Sequence, residues 1–150
     1  MIRRAAAALS LLAALTLPPA ARAEVPVGIR VVRASKQGPA QIDPRLADLK
    51  RQISPLAYVR WEQVSEKKAD LKLGKTEFVE LPGGDSVGVT LQEHRGNTLT
   101  LEVAITQRNT QSRVTVEKGQ RIVHGVSPEK GGEAVFIVLS GFIKLSRMTP

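Results

Sequence analysis

The sequence contains no cysteine, so it can form no disulfide and has no cysteine for lipid modification. Its stability must therefore come from burying Val, Leu and Ile without covalent cross-links. Aromatic residues make up only 3% of the chain. Proteins that bind single-stranded nucleic acid usually combine a basic groove with several stacking rings, so we expect no specific nucleic-acid partner.

Residue types that perform catalysis or bind metals are also scarce. The only two histidines, His94 and His124, belong to no HxH or HExxH motif, and a zinc site lacks its usual ligands without cysteine. Ser140 precedes Gly141 but lies outside a GxSxG motif. We interpret both histidines as surface or turn residues, and we predict no catalytic, cofactor-binding or metal-binding residues.

Residues 1–23 have the three-part pattern of a secretory signal peptide. Two arginines precede an apolar block from Ala5 to Leu17, which ends at two prolines and an Ala-Arg-Ala cleavage site. This block is shorter than the roughly 20 apolar residues of a membrane-spanning helix, so we expect cleavage after Ala23. The mature chain would then have no transmembrane segment and would be periplasmic or secreted. Loss of three arginines would lower its net charge from +8 to +5.

The mature chain, residues 24–150, begins with a strand and a helix. The stretch VGIRVVRAS alternates apolar residues with others and places Arg30 on the opposite side, which is typical of a half-buried strand. In IDPRLADLKRQIS, three apolar residues recur at helical spacing after Asp43, which can cap the helix, and Pro44, which suits its first position. We predict one short N-terminal amphipathic helix over about 44–54, packed on the sheet.

From residue 57 onward the sequence is rich in strand-forming residues. The segments SVGVTLQEH and TLTLEVAIT alternate on either side of RGN and predict a hairpin. The segment SRVTVEKGQRIVHGV predicts a second hairpin with Lys118 and Gly119 at its tip. Turn signals recur at intervals of about 8 to 12 residues. We therefore predict a single mainly-β domain, an antiparallel sandwich or partly open barrel of about eight strands.

The stretch HGVSPEKGGEAVFIVLS contains a double glycine directly before an apolar run. A phosphate-binding loop requires a helix after its glycines, but EAVFIVLS is β-branched and aromatic without a helical stripe. The run is also too short to be a transmembrane helix. We predict a central strand buried on both faces, with SPEKGG as the tight connection before it. The segment GFIKLSRMTP that follows is either a short final strand or a basic tail.

Two groups of residues are candidates for surface contacts. Tyr58 and Trp61 could stack against a ligand, but residues three apart in a strand face opposite sides, so we prefer Trp61 as a core residue beneath the helix. Basic residues cluster early in the chain and could contact anionic polymers or lipid headgroups weakly and in a salt-sensitive manner. These possible anion-contact residues are Arg30, Arg33, Lys36, Arg45, Lys50, Arg51 and Arg60.

The segments VRAS, IDPRLADLKRQISPLAY, LKLGKTEFVELPGGDSVGVTL and GNTLTLEVAI, together with the signal peptide, resemble small, uncharacterised exported β-rich proteins of Gram-negative bacteria. The resemblance covers most of the mature chain, its motifs are structural, and it implies no activity.

We expect a non-enzymatic binding or assembly module of the bacterial envelope that docks a protein partner through a sheet edge or surface. Two alternatives remain open. A hydrolase of envelope polymers would place His94 or His124 beside two carboxylates in a cleft. A weak anionic-polymer-binding protein would gather the early arginines and lysines on one continuous face.

Overall fold

The computed structural model describes residues 24–142, except for the side chains at positions 128 and 129. The expected signal peptide, its cleavage site and most of the final segment GFIKLSRMTP lie outside the described residues. Within residues 24–142 the chain forms nine strands: β1 (Val25–Ser35), β2 (Gln41–Ile42), β3 (Arg60–Leu71), β4 (Thr76–Glu80), β5 (Ser86–Arg95), β6 (Thr98–Ile105), β7 (Thr110–Glu117), β8 (Arg121–Lys130) and β9 (Glu133–Gly141). The prediction of a mainly-β fold is confirmed.

The described strands form two sheets that pack face to face. Sheet A has the order β2-β3-β1-β9-β8, and sheet B has the order β4-β5-β6-β7. The pairs between long neighbouring strands are antiparallel, and the two-residue β2 pairs with β3 in parallel. Alternate residues of both sheets point into one apolar core, which includes Ile29, Leu101 and Ile137. No helix in the described part of the chain has the length and apolarity needed to cross a membrane.

A helical segment covers the outer face of sheet A. It begins as a 3-10 helix, Pro44–Leu49, and continues as α1, Lys50–Ile53. Leu46 and Leu49 lie three residues apart. A 3-10 helix has three residues per turn, so these two side chains lie on the same side of it. Together with Ile53 they pack against Trp61 and Val138 in a second apolar cluster. The helix was expected to be N-terminal, but it follows β1 and is mostly 3-10.

Strand β9 lies inside sheet A, between β1 and β8, and is buried on both faces as predicted. Val135, Ile137 and Leu139 face sheet B, whereas Val138 faces the helix. The double glycine before β9 is a hairpin turn: Lys130 pairs with Glu133, and Gly131 and Gly132 both have positive φ. Two-residue loops of type I′ need positive φ at both central positions, which glycine adopts without a Cβ clash.

The predicted hairpin of β5 and β6 is confirmed, but the prediction of a second hairpin, between β7 and β8, is wrong. Strand β7 pairs with β6 in sheet B, whereas β8 pairs with β9 in sheet A. The turn at Lys118 and Gly119 therefore carries the chain from one sheet to the other. The end of β9 holds this crossing in place, because the Gly119 N–H donates to the Gly141 carbonyl at 2.6 Å.

Candidate functional site

Arg30 does not belong to an anion-contact surface, which corrects the sequence expectation. It is only 8% exposed, because the helical segment covers the face of β1 that we expected to meet solvent. Its guanidinium donates from Nη1 to Asp48 Oδ2 at 2.8 Å, from Nη2 to the Arg45 carbonyl at 2.7 Å and from Nε to Gln63 Oε1 at 3.0 Å. The side-chain hydrogen bond from Arg30 lowers the pKa of Asp48. Arg30 thus joins the helix to sheet A.

The remaining early basic residues do not form one continuous positive face. Arg33 pairs with Glu62 at 3.1 Å, and Arg45 pairs with Asp43 at 2.7 Å. Arg33 and Arg60 line a recess of about 610 Å³ that also contains the carboxylates of Asp43, Glu62 and Glu133. Acidic groups therefore lie among these arginines. The other three residues of the expected set, Lys36, Lys50 and Arg51, are exposed on the loop after β1 and on α1.

Tyr58 and Trp61 do meet, but they form a core cluster. Tyr58 precedes β3, so the rule that strand residues three apart face opposite sides does not apply to this pair. The ring centroids of Tyr58 and Trp61 lie 5.7 Å apart, and Phe136 contacts both rings. Trp61 is 3% exposed and packs with the residues beneath the helix. Although Trp61 lines two recesses, its small exposed fraction leaves almost no free ring face for a ligand to stack on.

Neither histidine lies in a catalytic arrangement of the described side chains. His94 contacts the Gly96 carbonyl at the turn between β5 and β6, at 3.1 Å. His124 is half-buried in a recess of about 360 Å³ between β7 and β8, beside Ser112 and Ser127. Burial lowers the pKa of His124. Among the side chains that the structure describes, no carboxylate lines this recess and no group of three or more His, Asp or Glu could hold a metal ion.

The edges of the two sheets are the remaining candidate sites, because an unpaired edge can accept another strand. The β2 side of sheet A is closed by side chains. Beyond β2, the Gln63 N–H donates to Asp43 Oδ2 at 3.1 Å, and Arg45 Nη2 donates to the Gln63 carbonyl at 3.1 Å. This Asp43–Arg45 pair therefore occupies the place of a neighbouring strand. Hydrogen bonds from the Arg45 side chain and from the backbone N–H groups of Arg45 and Gln63 lower the pKa of Asp43.

The rest of the β3 edge and the facing β4 edge are also protected. A register shift makes Val64 a bulge, and charged residues occupy much of the segment that follows it. Lys67 spans the gap to β4, where it forms an ion pair with Glu77 and approaches the Phe78 carbonyl at 3.5 Å. Strand β4 is only five residues long. Bulges, charges and short strands are devices by which proteins discourage edge pairing.

Strand β8, at the other edge of sheet A, is irregular. Its register with β9 shifts between Gly125 and Ser127 and again between Ser127 and Lys130. It also contains Pro128, which has no N–H to donate. These features make β8 a poor template for a further strand.

Strand β7 differs from the other three edges. Its eight residues, TQSRVTVE, pair with β6 without a register shift. The Lys118 N–H donates to the Asn97 carbonyl on the β6 side at 2.8 Å, whereas the Glu117 N–H donates to Gln120 Oε1 at 3.1 Å. Because backbone direction alternates along a strand, the N–H and C=O groups of Gln111, Arg113 and Thr115 point away from β6. Sheet B ends there in the described part of the chain, so no described strand pairs with them.

Sequence reasoning missed this edge because it paired β7 with β8. The signal was present in TQSRVTVE, which is β-branched, contains neither glycine nor proline and carries only two charges.

Comparison of the chain with protein-family models, with curated proteins and with solved structures finds no match.

Proposed function

We propose that this protein is an exported, non-enzymatic binding or assembly module of the bacterial envelope that docks a protein partner by strand addition at β7. Export and an envelope location are inferred from the signal-peptide pattern of residues 1–23. The observation that carries the docking proposal is the contrast among the four sheet edges. The outer edge of β7 is long, regular and without a partner among the described strands, whereas β3, β4 and β8 each carry a feature that discourages pairing.

The chemistry of β7 suits a strand partner. An added strand would take main-chain hydrogen bonds from Gln111, Arg113 and Thr115, and these bonds provide affinity largely independent of the partner's sequence. Specificity would come from alternate side chains of the added strand. Those that face sheet A would meet the recess between β7 and β8, which is lined by Ile105 and Val126 and by the hydroxyls of Ser112 and Ser127.

Two variants at one position test whether β7 is the docking edge. Thr115→Pro removes an outward N–H and leaves the β6 hydrogen bonds in place, because the Thr115 N–H points away from β6. Thr115→Val keeps the N–H and a β-branched side chain, so it is the matched control. We expect immobilised wild-type protein and Thr115→Val to retain the same protein from an envelope extract. Immobilised Thr115→Pro should retain at least tenfold less of that protein.

Circular dichroism and thermal unfolding should first establish that both variants are folded. Equal retention of the partner by Thr115→Pro and wild type would contradict docking at β7. Retention of a sugar polymer without any protein, by all three forms, would contradict the proposal of a protein partner.

A further inference from the structure

The exposed edge of β7 is complementary to itself. Arg113, Thr115 and Glu117 lie on the outer face of sheet B and are exposed, whereas Val114 and Val116 between them are buried in the core. The charges at positions 113 and 117 are opposite and lie at equal distances from Thr115 along the strand. In an antiparallel pair of such strands related by a two-fold axis at Thr115, Arg113 of each copy would lie beside Glu117 of the other copy. The pair would therefore contain two contacts between opposite charges.

We propose that the partner of the β7 edge is a second copy of this chain, paired antiparallel about Thr115. This inference rests on the proposed function, since it needs β7 to be the docking edge. The two four-stranded sheets would join into one continuous sheet. The contact is isologous, with the same strand on both sides, so it closes into a dimer and cannot extend into a filament.

The register follows from the backbone and the charges together. Hydrogen bonds across the two-fold axis need outward-facing groups on both strands, which are those of Gln111, Arg113, Thr115 and Glu117. With the axis at Thr115, Arg113 of one copy lies opposite Glu117 of the second copy, Val114 lies opposite Val116, and the two threonines face each other. Opposite charges, β-branched pairs and Thr–Thr pairs each stabilise antiparallel strands.

Other registers lack this match. An axis at Arg113 would place two arginines opposite each other, and an axis at Glu117 would do the same for two glutamates, which is destabilising. With an axis at Val114 or Val116, neither Arg113 nor Glu117 lies directly opposite a residue of opposite charge. The Thr115 register is therefore the one in which both charges are paired.

Gln120 competes with this dimer at the end of the edge. Its side chain accepts the Glu117 N–H at 3.1 Å, and its own N–H donates to the Glu117 carbonyl at 2.9 Å. In the dimer, the Glu117 N–H would donate to the main chain of Arg113 in the second copy. The Gln120 side chain must then move aside. The turn at residues 118–120 must also open, because the Gln120 N–H holds the Glu117 carbonyl and Gly141 is bridged to Lys118. Gln120→Ala removes the side-chain part of this competition and should lower the dimer dissociation constant severalfold.

Cysteine cross-linking tests the register cleanly, because the chain has no cysteine of its own. Residues opposite each other in a hydrogen-bonded antiparallel pair have Cα atoms about 5.5 Å apart, which is within disulfide range. Thr115→Cys should therefore give a covalent dimer under mild oxidation. Gln111→Cys is the same-edge control: it lies opposite Gly119, so the two cysteines would be about 27 Å apart at about 3.4 Å per residue.

Charge reversal provides an independent test in solution, measured by analytical ultracentrifugation over a concentration series at low salt. Arg113→Glu and Glu117→Arg should each raise the dissociation constant at least tenfold, and the double variant should restore it. Arg113 also lies opposite Glu102 on β6, so Arg113→Glu could weaken the monomer itself. The double variant still places a glutamate at position 113 opposite Glu102, so the monomer keeps this unfavourable contact. Restored dimerisation could therefore come only from the contact between the two copies.

The outcomes separate this inference from the proposed function. Wild-type protein that is monomeric at every concentration, together with no cross-link at position 115, would overturn the second copy as partner. Equal cross-linking at positions 111 and 115 would overturn the register. In either case docking of another protein at β7 would still stand if Thr115→Pro lost a captured partner that Thr115→Val retained.

Discussion

At the scale of single residues, Arg30 and Asp48 decide how the helical segment sits on sheet A. The Arg30 side chain is 10% exposed and the Asp48 side chain 33% exposed, and Arg121 Nε also approaches Asp48 Oδ2 at 2.8 Å. Asp48 thus accepts from arginines on β1 and β8 while it lies on the 3-10 helix. A buried arginine that loses its carboxylate is an uncompensated charge.

We predict that Asp48→Ala lowers the free energy of unfolding by about 3 kcal/mol, because it leaves the Arg30 guanidinium buried without its anion. Urea unfolding followed by tryptophan fluorescence measures this change, since Trp61 packs beneath the same helix. The control is Asp85→Ala, which removes an ion pair whose arginine, Arg108, is more exposed than Arg30, and it should cost no more than about 1 kcal/mol. Equal losses in the two variants would contradict a special role for Asp48.

Acid should destabilise the fold through Asp43 and Asp48. The pKa of each carboxylate is lower in the folded chain than its ordinary value because arginine side chains donate hydrogen bonds to it. A lowered folded pKa adds stability that is present above the unfolded value of about 3.9 and is lost as the pH falls through the folded pKa.

We therefore predict that urea midpoints of the wild type fall as the pH is lowered below about 4. Asp43→Asn should be less stable than the wild type at pH 6, and the difference should shrink as the pH falls. A difference that stays constant over this range would show that the Asp43 charge does not stabilise the fold.

Single residues also show where sequence reasoning ends. The alternation in VGIRVVRAS correctly predicts a strand. It cannot show that a second layer covers the polar side of that strand, which is why the sequence predicts that Arg30 is exposed. The contact of Tyr58 with Trp61 depends on β3 beginning at Arg60, because a Tyr58 inside the strand would face away. Phe136, the third ring of the cluster, joins them from a distant part of the chain.

At the scale of elements, β9 contributes buried side chains to both apolar clusters. Val138 is 0% exposed and packs with the residues beneath the helix. We predict that Val138→Asp prevents folding, because burying an unpaired carboxylate costs several kcal/mol against a total stability of roughly 5 to 15 kcal/mol.

The matched control for this prediction is Val64→Asp, the same change at a valine that is 41% exposed on the β3 bulge. Circular dichroism should show a β-sheet spectrum for Val64→Asp and an unfolded spectrum for Val138→Asp. A folded Val138→Asp variant would mean that this side of β9 is accessible to water.

Elements that depend on local signals were predictable, and those that depend on sheet membership were not. The β5–β6 hairpin follows from alternation on both sides of RGN. The segment around Lys118 and Gly119 has the same local features, yet β7 and β8 belong to different sheets, because a tight turn can either reverse a strand within a sheet or carry it to the facing sheet. Consequently the composition of TQSRVTVE indicates a regular strand, but the sequence does not show that the outer edge of β7, on which the proposed function depends, is free.

At the scale of the whole molecule, the fold consists of three layers: the helical segment, sheet A and sheet B. The first and last described strands, β1 and β9, are neighbours in the middle of sheet A, with Val27 opposite Gly141. Pairing of such distant segments leaves the sheet edges to the strands in between. Three of the four edges carry features that discourage association. Within the described part of the chain, β7 is the regular edge, and its outer backbone groups at Gln111, Arg113 and Thr115 are open, whereas Gln120 covers those of Glu117.

Amide hydrogen exchange across a series of protein concentrations tests this account most directly. We predict that the amides of Arg113 and Thr115, which point away from β6, exchange rapidly in dilute protein and become at least tenfold slower as the concentration rises. The amides along the outer edges of β3, β4 and β8 should not change. Protection that develops at one of those edges, while Arg113 and Thr115 exchange at the same rate throughout, would contradict association through β7.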